Sequence, residues 1–258
     1  MNSEDLYKRI YDGELILANL PTAGQALRDH ALKLIQKQFG NEPTSLSEKA
    51  FREALDSAKK SLASDETREI ARSILLEFGL ESQSIRLDRV RLRAISPGLE
   101  NVTAAAPVFY SHRDTWYGNP ACQINVWLPL MNTGAATNFR FFLDHFTKPI
   151  KNDSAQFRAQ DFQSQGGFGR VDGPGESVYP RALEQAQGDY WDAQVADDKM
   201  LIFSASHLHQ SKVNSTKDVR FSLDFRFFPN QHLELGLGAP DPDNLSQGLL
   251  IEDYTSCP

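Results

Sequence analysis

An α+β fold, with N-terminal helices packed on one sheet of a double-stranded β-helix (a jelly roll), is what this sequence predicts. Three observations point there. The apolar spacing is helical up to Gly79, it changes to a period of two beyond it, and two later strand segments each split into a polar and an apolar face. The 258 residues are expected to form one domain: a helical part over 1–80, a jelly-roll core over 84–228 and a tail over 229–258.

The helices come first. Thr22 and Gln25 have capping-box spacing, and Leu27, Ala31, Leu34 and Ile35 then share one face before Gly40. Ser45 and Glu48 repeat the start signal ahead of the stripe Phe51, Leu55, Ala58 and Leu62. Asp65 is placed to cap a third helix through Ile70, Ile74, Leu75 and Phe78, stopped by Gly79.

The strands follow. Ile85 and Leu87, then Val90, Leu92 and Ala94, alternate with polar residues, and the slip near Asp88 predicts a bulge. Further strands are expected over 122–130, 138–146, 199–209 and 220–228, between Gly-, Pro- and Asn-rich connections. In the last of these Arg220, Ser222, Asp224 and Arg226 oppose Phe221, Leu223, Phe225 and Phe227. In the first, Gln123, Asn125 and Trp127 oppose Ile124, Val126 and Leu128. One wet sheet face would explain the pattern. In a jelly roll, the apolar faces would instead lie under the helices, and the polar rows would line a binding cavity.

Composition narrows the function. A net charge of −7 argues against a nucleic-acid partner, which normally meets a basic face. No stretch approaches the roughly 18 apolar residues that span a bilayer. The start Met1-Asn-Ser-Glu-Asp-Leu lacks the basic and apolar regions of a signal peptide, and Cys122 and Cys257 are too few for a disulfide scaffold. A cytoplasmic protein with a small-molecule substrate is the expectation.

The chemistry sits in two segments. His112-Arg113-Asp114 ends a strand expected over 108–111, and two residues at that spacing on extended backbone can present an imidazole and a carboxylate together. By itself His-x-Asp is a weak motif. His209, a polar turn and Arg220 form an expected hairpin that adds a third ligand beside a cation. Two histidines and one carboxylate make the facial triad of non-haem iron sites, with positions left open. Arg220 has the planar fork that binds a carboxylate bidentately, and Ser222 lies two residues on along the same face. Periodicity cannot separate His207 from His209; the eleven-residue spacing to Arg220, with Ser211 and Asn214 between, favours His209.

His112-x-Asp114, then His209-x-Ser-x-x-Asn-Ser with Arg220, resembles the phytanoyl-CoA-hydroxylase-like branch of Fe(II)/2-oxoglutarate-dependent oxygenases. His112-Arg-Asp-Thr-Trp-Tyr-Gly, Gln123-Ile-Asn-Val-Trp-Leu-Pro and Arg220-Phe-Ser-Leu-Asp-Phe-Arg are similar to small members acting on amino acids or polar metabolites, some of them halogenases. The match covers roughly residues 84–228. It implies a jelly roll of the cupin-like kind and Fe(II) on His112, Asp114 and His209. It also implies 2-oxoglutarate on Arg220 and Ser222, O2 as the oxidant, and succinate and CO2 as coproducts. In halogenating relatives a small residue replaces the carboxylate ligand; this chain keeps Asp114, so hydroxylation or another C–H oxidation is implied.

Other residues carry open readings. Gln123 and Asn125 resemble positions that steady the cosubstrate or the substrate. Trp116 and Tyr117 wall a substrate pocket or simply pack, and Asp224 and Arg226 clamp a zwitterion or pair with each other. Arg86, Arg89, Arg91 and Arg93 read as a solvated strand face, and His30, His145 and His232 as surface or satisfied histidines. The glycine-rich 166–175 stretch lacks the dinucleotide fingerprint and reads as a lid at the cavity mouth. A binding module without catalysis, or a cupin-like metalloenzyme that does not use 2-oxoglutarate, would explain less of the pattern.

Overall fold

Helix α1 (Ser3–Tyr11) begins the computed structural model, which describes residues 3–80, 85–131, 138–164, 178–252 and 254–256. The 166–175 stretch lies outside them. In α1 the apolar residues Leu6, Tyr7 and Ile10 have helical spacing over little more than two turns, whereas the strand after it, β1 (Ile16–Asn19), has no such signal. The charges of α1 also announce it: Glu4 and Asp5 fill the first turn and Lys8 and Arg9 the last, as the helix dipole favours.

The three expected helices are α2 (Thr22–Phe39), α3 (Glu48–Leu62) and α4 (Asp65–Glu77), and each start signal is displaced. Thr22 lies inside α2, and its N–H and that of Ala23 donate to the Glu77 carboxylate at the end of α4, at 2.9 and 2.8 Å. Ser47 caps α3 by accepting from Ala50, while Ser45 belongs to the preceding 3₁₀ turn. Ser64 caps α4 by accepting from Thr67, so Asp65 is its first residue. The cap must have extended backbone and reach an N–H two or three residues on, and Ser47 and Ser64 meet both conditions.

Two antiparallel sheets follow. The larger runs β1–β7–β4–β9–β2–β10, with β3 also on β9; its members are β2 (Ile85–Leu87), β3 (Arg91–Ile95), β4 (Ile124–Pro129), β7 (Lys199–Ser204), β9 (Arg220–Pro229) and β10 (Thr255–Ser256). The smaller is β6–β5–β8, from β5 (Phe139–Phe142), β6 (Tyr190–Asp192) and β8 (His209–Ser211). Leu87 pairs with Phe227 and Arg91 with Asp224, so residues 88–90 face only 225–226. That is the bulge expected at Asp88.

The structure corrects four strand expectations. The 138–146 run ends as a strand at Phe142, and Leu143–Phe146 is a 3₁₀ turn. The 199–209 run breaks after Ser204 into a turn, where the Ser204 carbonyl accepts from the His207 N–H and the Ser204 hydroxyl from the Ser206 N–H. His209 and Arg220 do not share a hairpin, because β8 belongs to the small sheet and β9 to the large one. Residues before His112 form a 3₁₀ helix, Thr103–Phe109, rather than a strand.

The apolar row of β9 and the residues Ile124, Val126 and Leu128 of β4 pack into one core with Leu27, Ala31, Leu62 and Ile74 of the helices. Phe39 meets Phe221 ring to ring at 5.0 Å. On the opposite face Trp127, Leu201 and Phe203 of the large sheet pack against Phe141 of the small one. Both faces of β4 and β9 are therefore covered, and the polar row of β9 is interior: Arg220 is 2% exposed, Ser222 0% and Arg226 9%. A wet outer face is excluded for these strands.

Candidate metal centre

His112 and His209 meet where the two sheets join, exchanging backbone hydrogen bonds of 2.9 Å in an isolated bridge. Asp114 opens the 3₁₀ turn Asp114–Tyr117, and its N–H donates to the Ala205 carbonyl just past β7. Donor atoms of His112, Asp114 and His209 all lie within 4.8 Å of one another, the one such group of metal-binding side chains found among the described residues. His112 Nε2 stands 3.5 Å from Asp114 Oδ1. Each histidine sets Nδ1 against a carbonyl, Tyr110 at 2.8 Å and His207 at 3.0 Å. Such a bond makes Nδ1 the donor and leaves Nε2 as the lone-pair face for a metal.

Electrostatics suit a cation. Burial by itself pushes the Asp114 carboxyl up, but the Arg226 guanidinium above all holds it well below the usual carboxylate range. Burial, then the proximity of His112, pushes His209 down to about 4, so its imidazole is neutral at pH 7. His207 is not part of the cluster. It is buried, with Nδ1 3.2 Å from the Ser204 carbonyl and Nε2 3.1 Å from that of Gly13, and it packs against Phe146 and Phe141.

Tyr117 stacks on His112, with ring centroids 4.9 Å apart, and takes the edge of Tyr179 at 5.9 Å. Trp116 has a different place: wholly buried, it packs with Phe157 and Phe162 and donates its indole N–H to Asp243 at 2.9 Å. Gln123 and Asn125 point to the Asp114 carboxylate. Asn125 Nδ2 donates to Asp114 Oδ2 at 2.7 Å, Gln123 Nε2 donates to Asn125 Oδ1 at 3.0 Å, and Tyr254 Oη donates to Gln123 Oε1 at 2.5 Å.

Arg220 lies across one ring from the histidines. Phe139 carries its guanidinium at 5.6 Å and turns its edge to His209 at 5.8 Å. Burial, then the like charge of Arg93, pushes Arg220 down to about 10, whereas a bound carboxylate would move it the other way. Beside it the Ser222 hydroxyl is buried with no hydrogen-bond partner among the described residues. Asp224 pairs with Arg93 at 2.6 and 3.2 Å rather than with Arg226, which lies opposite Asn125 and acts on Asp114. The arginine run is not a plain solvated face: Arg86 donates to Asn230, Arg91 pairs with Asp88, and half-exposed Arg93 turns to Asp224.

Three residues given no role by the sequence, Arg113 within the motif and Asp243 and Tyr254 outside it, complete the centre. Arg113, between two ligands, is fully buried and donates to both oxygens of Asp243 and to the carbonyls of Ser206, His145 and Lys148. Asp243 and Tyr254 come from the tail. A charged residue locked between two ligand candidates is a signal the sequence does carry; nothing in it pairs Arg113 with Asp243 or Tyr254 with Gln123.

No family model and no curated protein matches the chain. Solved structures do. EvdO2 from Micromonospora carbonacea var. aurantiaca aligns at 11% identity over 89% of this chain and 91% of its own, with a TM-score of 0.52. EvdO2 complexed with 2-oxoglutarate aligns at 10% identity over the same shares, with a TM-score of 0.53. A nickel complex of the non-heme monooxygenase ThoJ aligns at 15% identity over 87% of this chain and 77% of its own, at 0.48. At these identities the likeness speaks for the fold, which is shared nearly end to end with EvdO2.

Proposed function

We propose that this chain is an Fe(II)- and 2-oxoglutarate-dependent oxygenase that oxidises a C–H bond of a small polar metabolite, an amino acid or close derivative. The observation that carries the reading is the joint placement of His112, Asp114 and His209, both Nδ1 atoms engaged, one ring away from buried Arg220 and the open Ser222 hydroxyl. A two-histidine, one-carboxylate set suits Fe(II), and Arg220 with Ser222 suits the far carboxylate of 2-oxoglutarate. When bound, the iron and 2-oxoglutarate together supply the oxidising power drawn from O2. The protein's own residues keep the Nε2 faces bare, hold Asp114 ionised and place Tyr117 over His112 as a wall.

Several parts of this reading rest on the sequence resemblance. They are the double-stranded β-helix, the phytanoyl-CoA-hydroxylase-like branch, the hydroxylase outcome and a reducing cytoplasmic home. EvdO2 crystallised with 2-oxoglutarate is consistent with the cosubstrate. The substrate class rests on the resemblance and on the β9 row, where Asp224 and Arg226 carry both charge signs and Arg226 lies near Asp114. Fe(II), 2-oxoglutarate and a panel of amino acids and polar metabolites should yield succinate in step with an oxidised product. Metal binding without succinate from any panel member would favour a metalloenzyme that does not use 2-oxoglutarate.

A further inference from the structure

We infer that the C-terminal segment is a working part of the metal centre: Tyr254 is a positioning residue that sets the orientation of the Asp114 carboxylate through Gln123 and Asn125. The inference rests on the metal-binding reading above and goes beyond it.

A side-chain amide can face either way, and the two ways differ in sign. If Asn125 presented Oδ1 to Asp114, two acceptors would face each other in a buried site; presenting Nδ2 gives a hydrogen bond. Holding Asn125 that way needs a donor for its Oδ1, and Gln123 Nε2 serves only while Gln123 Oε1 has a donor of its own. Tyr254 is that donor. It is 5% exposed, and burial raises its hydroxyl far above the ordinary range, so it remains an O–H donor. A phenol can also accept, but only its O–H donated to Gln123 Oε1 fits a chain in which Gln123 Nε2 meets Asn125 Oδ1 at 3.0 Å and Asn125 Nδ2 meets Asp114 Oδ2 at 2.7 Å. Oδ2 is thereby engaged, and Oδ1 is the oxygen left beside His112 Nε2, at 3.5 Å. Three bonds running one way deliver a single carboxylate oxygen to the metal position. Gln123 and Asn125 are fully and almost fully buried, which leaves water little access to satisfy the flipped arrangement.

The segment that brings Tyr254 is itself held over the centre. Leu250 N–H donates to the Gly118 carbonyl at 2.7 Å, and the Tyr254 ring packs on Phe228 at 4.9 Å. Gly118 has φ +73 and sits where a Cβ would come 3.2 Å from the Gly248 carbonyl, so a glycine is what permits the tail to close on the ligand turn.

Outer hydrogen-bond partners of metal ligands typically contribute 10–100-fold in metal affinity. The test is Co(II) titration of the apoprotein, read by the visible d–d spectrum and by calorimetry, with thermal unfolding run alongside. Tyr254→Phe should weaken Co(II) roughly 10-fold and alter the spectrum while the protein stays folded, and Gln123→Met should do the same. In an Asn125→Ala background Tyr254→Phe should cost nothing more, because its route to Asp114 is already cut. Unchanged Co(II) affinity in both single variants, or a full additional loss in the Asn125→Ala background, would overturn the inference. Failure of the wild-type protein to bind Co(II) at all would instead remove the metal reading beneath it.

Discussion

Asp114, His209 and Arg220 are three buried ionisable residues, and each is kept in a definite state by its neighbours. Arg226 holds Asp114 as an anion, burial holds His209 neutral, and Phe139 carries Arg220. Two predictions belong here. Arg220→Ala should weaken 2-oxoglutarate by about 2–5 kcal/mol, the usual effect of removing one partner of a desolvated charge pair, while Co(II) affinity is retained. Calorimetric titration of 2-oxoglutarate into the Co(II) protein measures it, and an unchanged dissociation constant would assign the anchor to another cation. The histidines two residues apart should separate cleanly. His209→Ala should abolish Co(II) binding, whereas His207→Ala should keep it and lose about 1–3 kcal/mol of stability through lost packing on Phe141 and Phe146 and one lost ring hydrogen bond to a carbonyl. The opposite pattern would exchange their roles.

At the scale of the element, the ligand turn is placed from outside. His112 is bridged to β8, Asp114 N–H is tied to the end of β7, and Arg113 between them gathers the Ser206, His145 and Lys148 carbonyls and Asp243. Asp243 also accepts from Trp116 and from Ile150 N–H, so one carboxylate joins the turn, the tail and the 143–150 connection. Arg113→Met keeps much of the side-chain volume but strands Asp243. It should destabilise the protein by about 3–5 kcal/mol, as breaking one half of a buried ion pair does, with the larger effect on the ligand turn. Urea unfolding together with hydrogen exchange at 112–119 reads both; a variant of wild-type stability would show that the knot at Asp243 is not needed.

Across the whole molecule, acid sensitivity is built into the joint between the sheets. His207 and His209 are both pushed down to about 4, mainly by burial, against 6.5 when exposed. Between those values the unfolded chain binds protons that the folded one does not, so stability is present above pH 6.5 and is lost as pH falls towards 4. Each histidine can contribute up to about 3 kcal/mol of that loss. Urea midpoints of the apoprotein should therefore fall steadily between pH 7 and pH 4.5, and His207→Phe should flatten the profile. A profile unchanged by that substitution would place the acid sensitivity elsewhere.

What the sequence determined by itself was whatever depends on local period and spacing. The helices α2 to α4, the bulge at Asp88 and the two-faced strands β4 and β9 follow from side-chain alternation, which is a property of neighbours along the chain. The donor set His112, Asp114 and His209 was also legible, because metal chemistry restricts residue types and because the interval to Arg220 singles out one of two histidines. Short elements escaped: α1 shows its period in only Leu6, Tyr7 and Ile10 and β1 has too few residues for one, and caps shifted by a residue or two because Ser47 and Ser64 compete with equally good neighbours. Tertiary structure alone decided the rest. It split 199–209 at Ser204, put β8 and β9 in different sheets, turned Trp116 into packing and Tyr117 onto His112, and gave Asp224 to Arg93. It also showed Gln123 and Asn125 reaching for Asp114, with Tyr254 and Asp243 behind the ligands. The decisive ones are contacts between residues about 130 positions apart, such as Arg113 with Asp243 and Tyr254 with Gln123. No periodicity along one chain encodes them, because the partner of a buried charge is chosen by which surfaces the fold presses together.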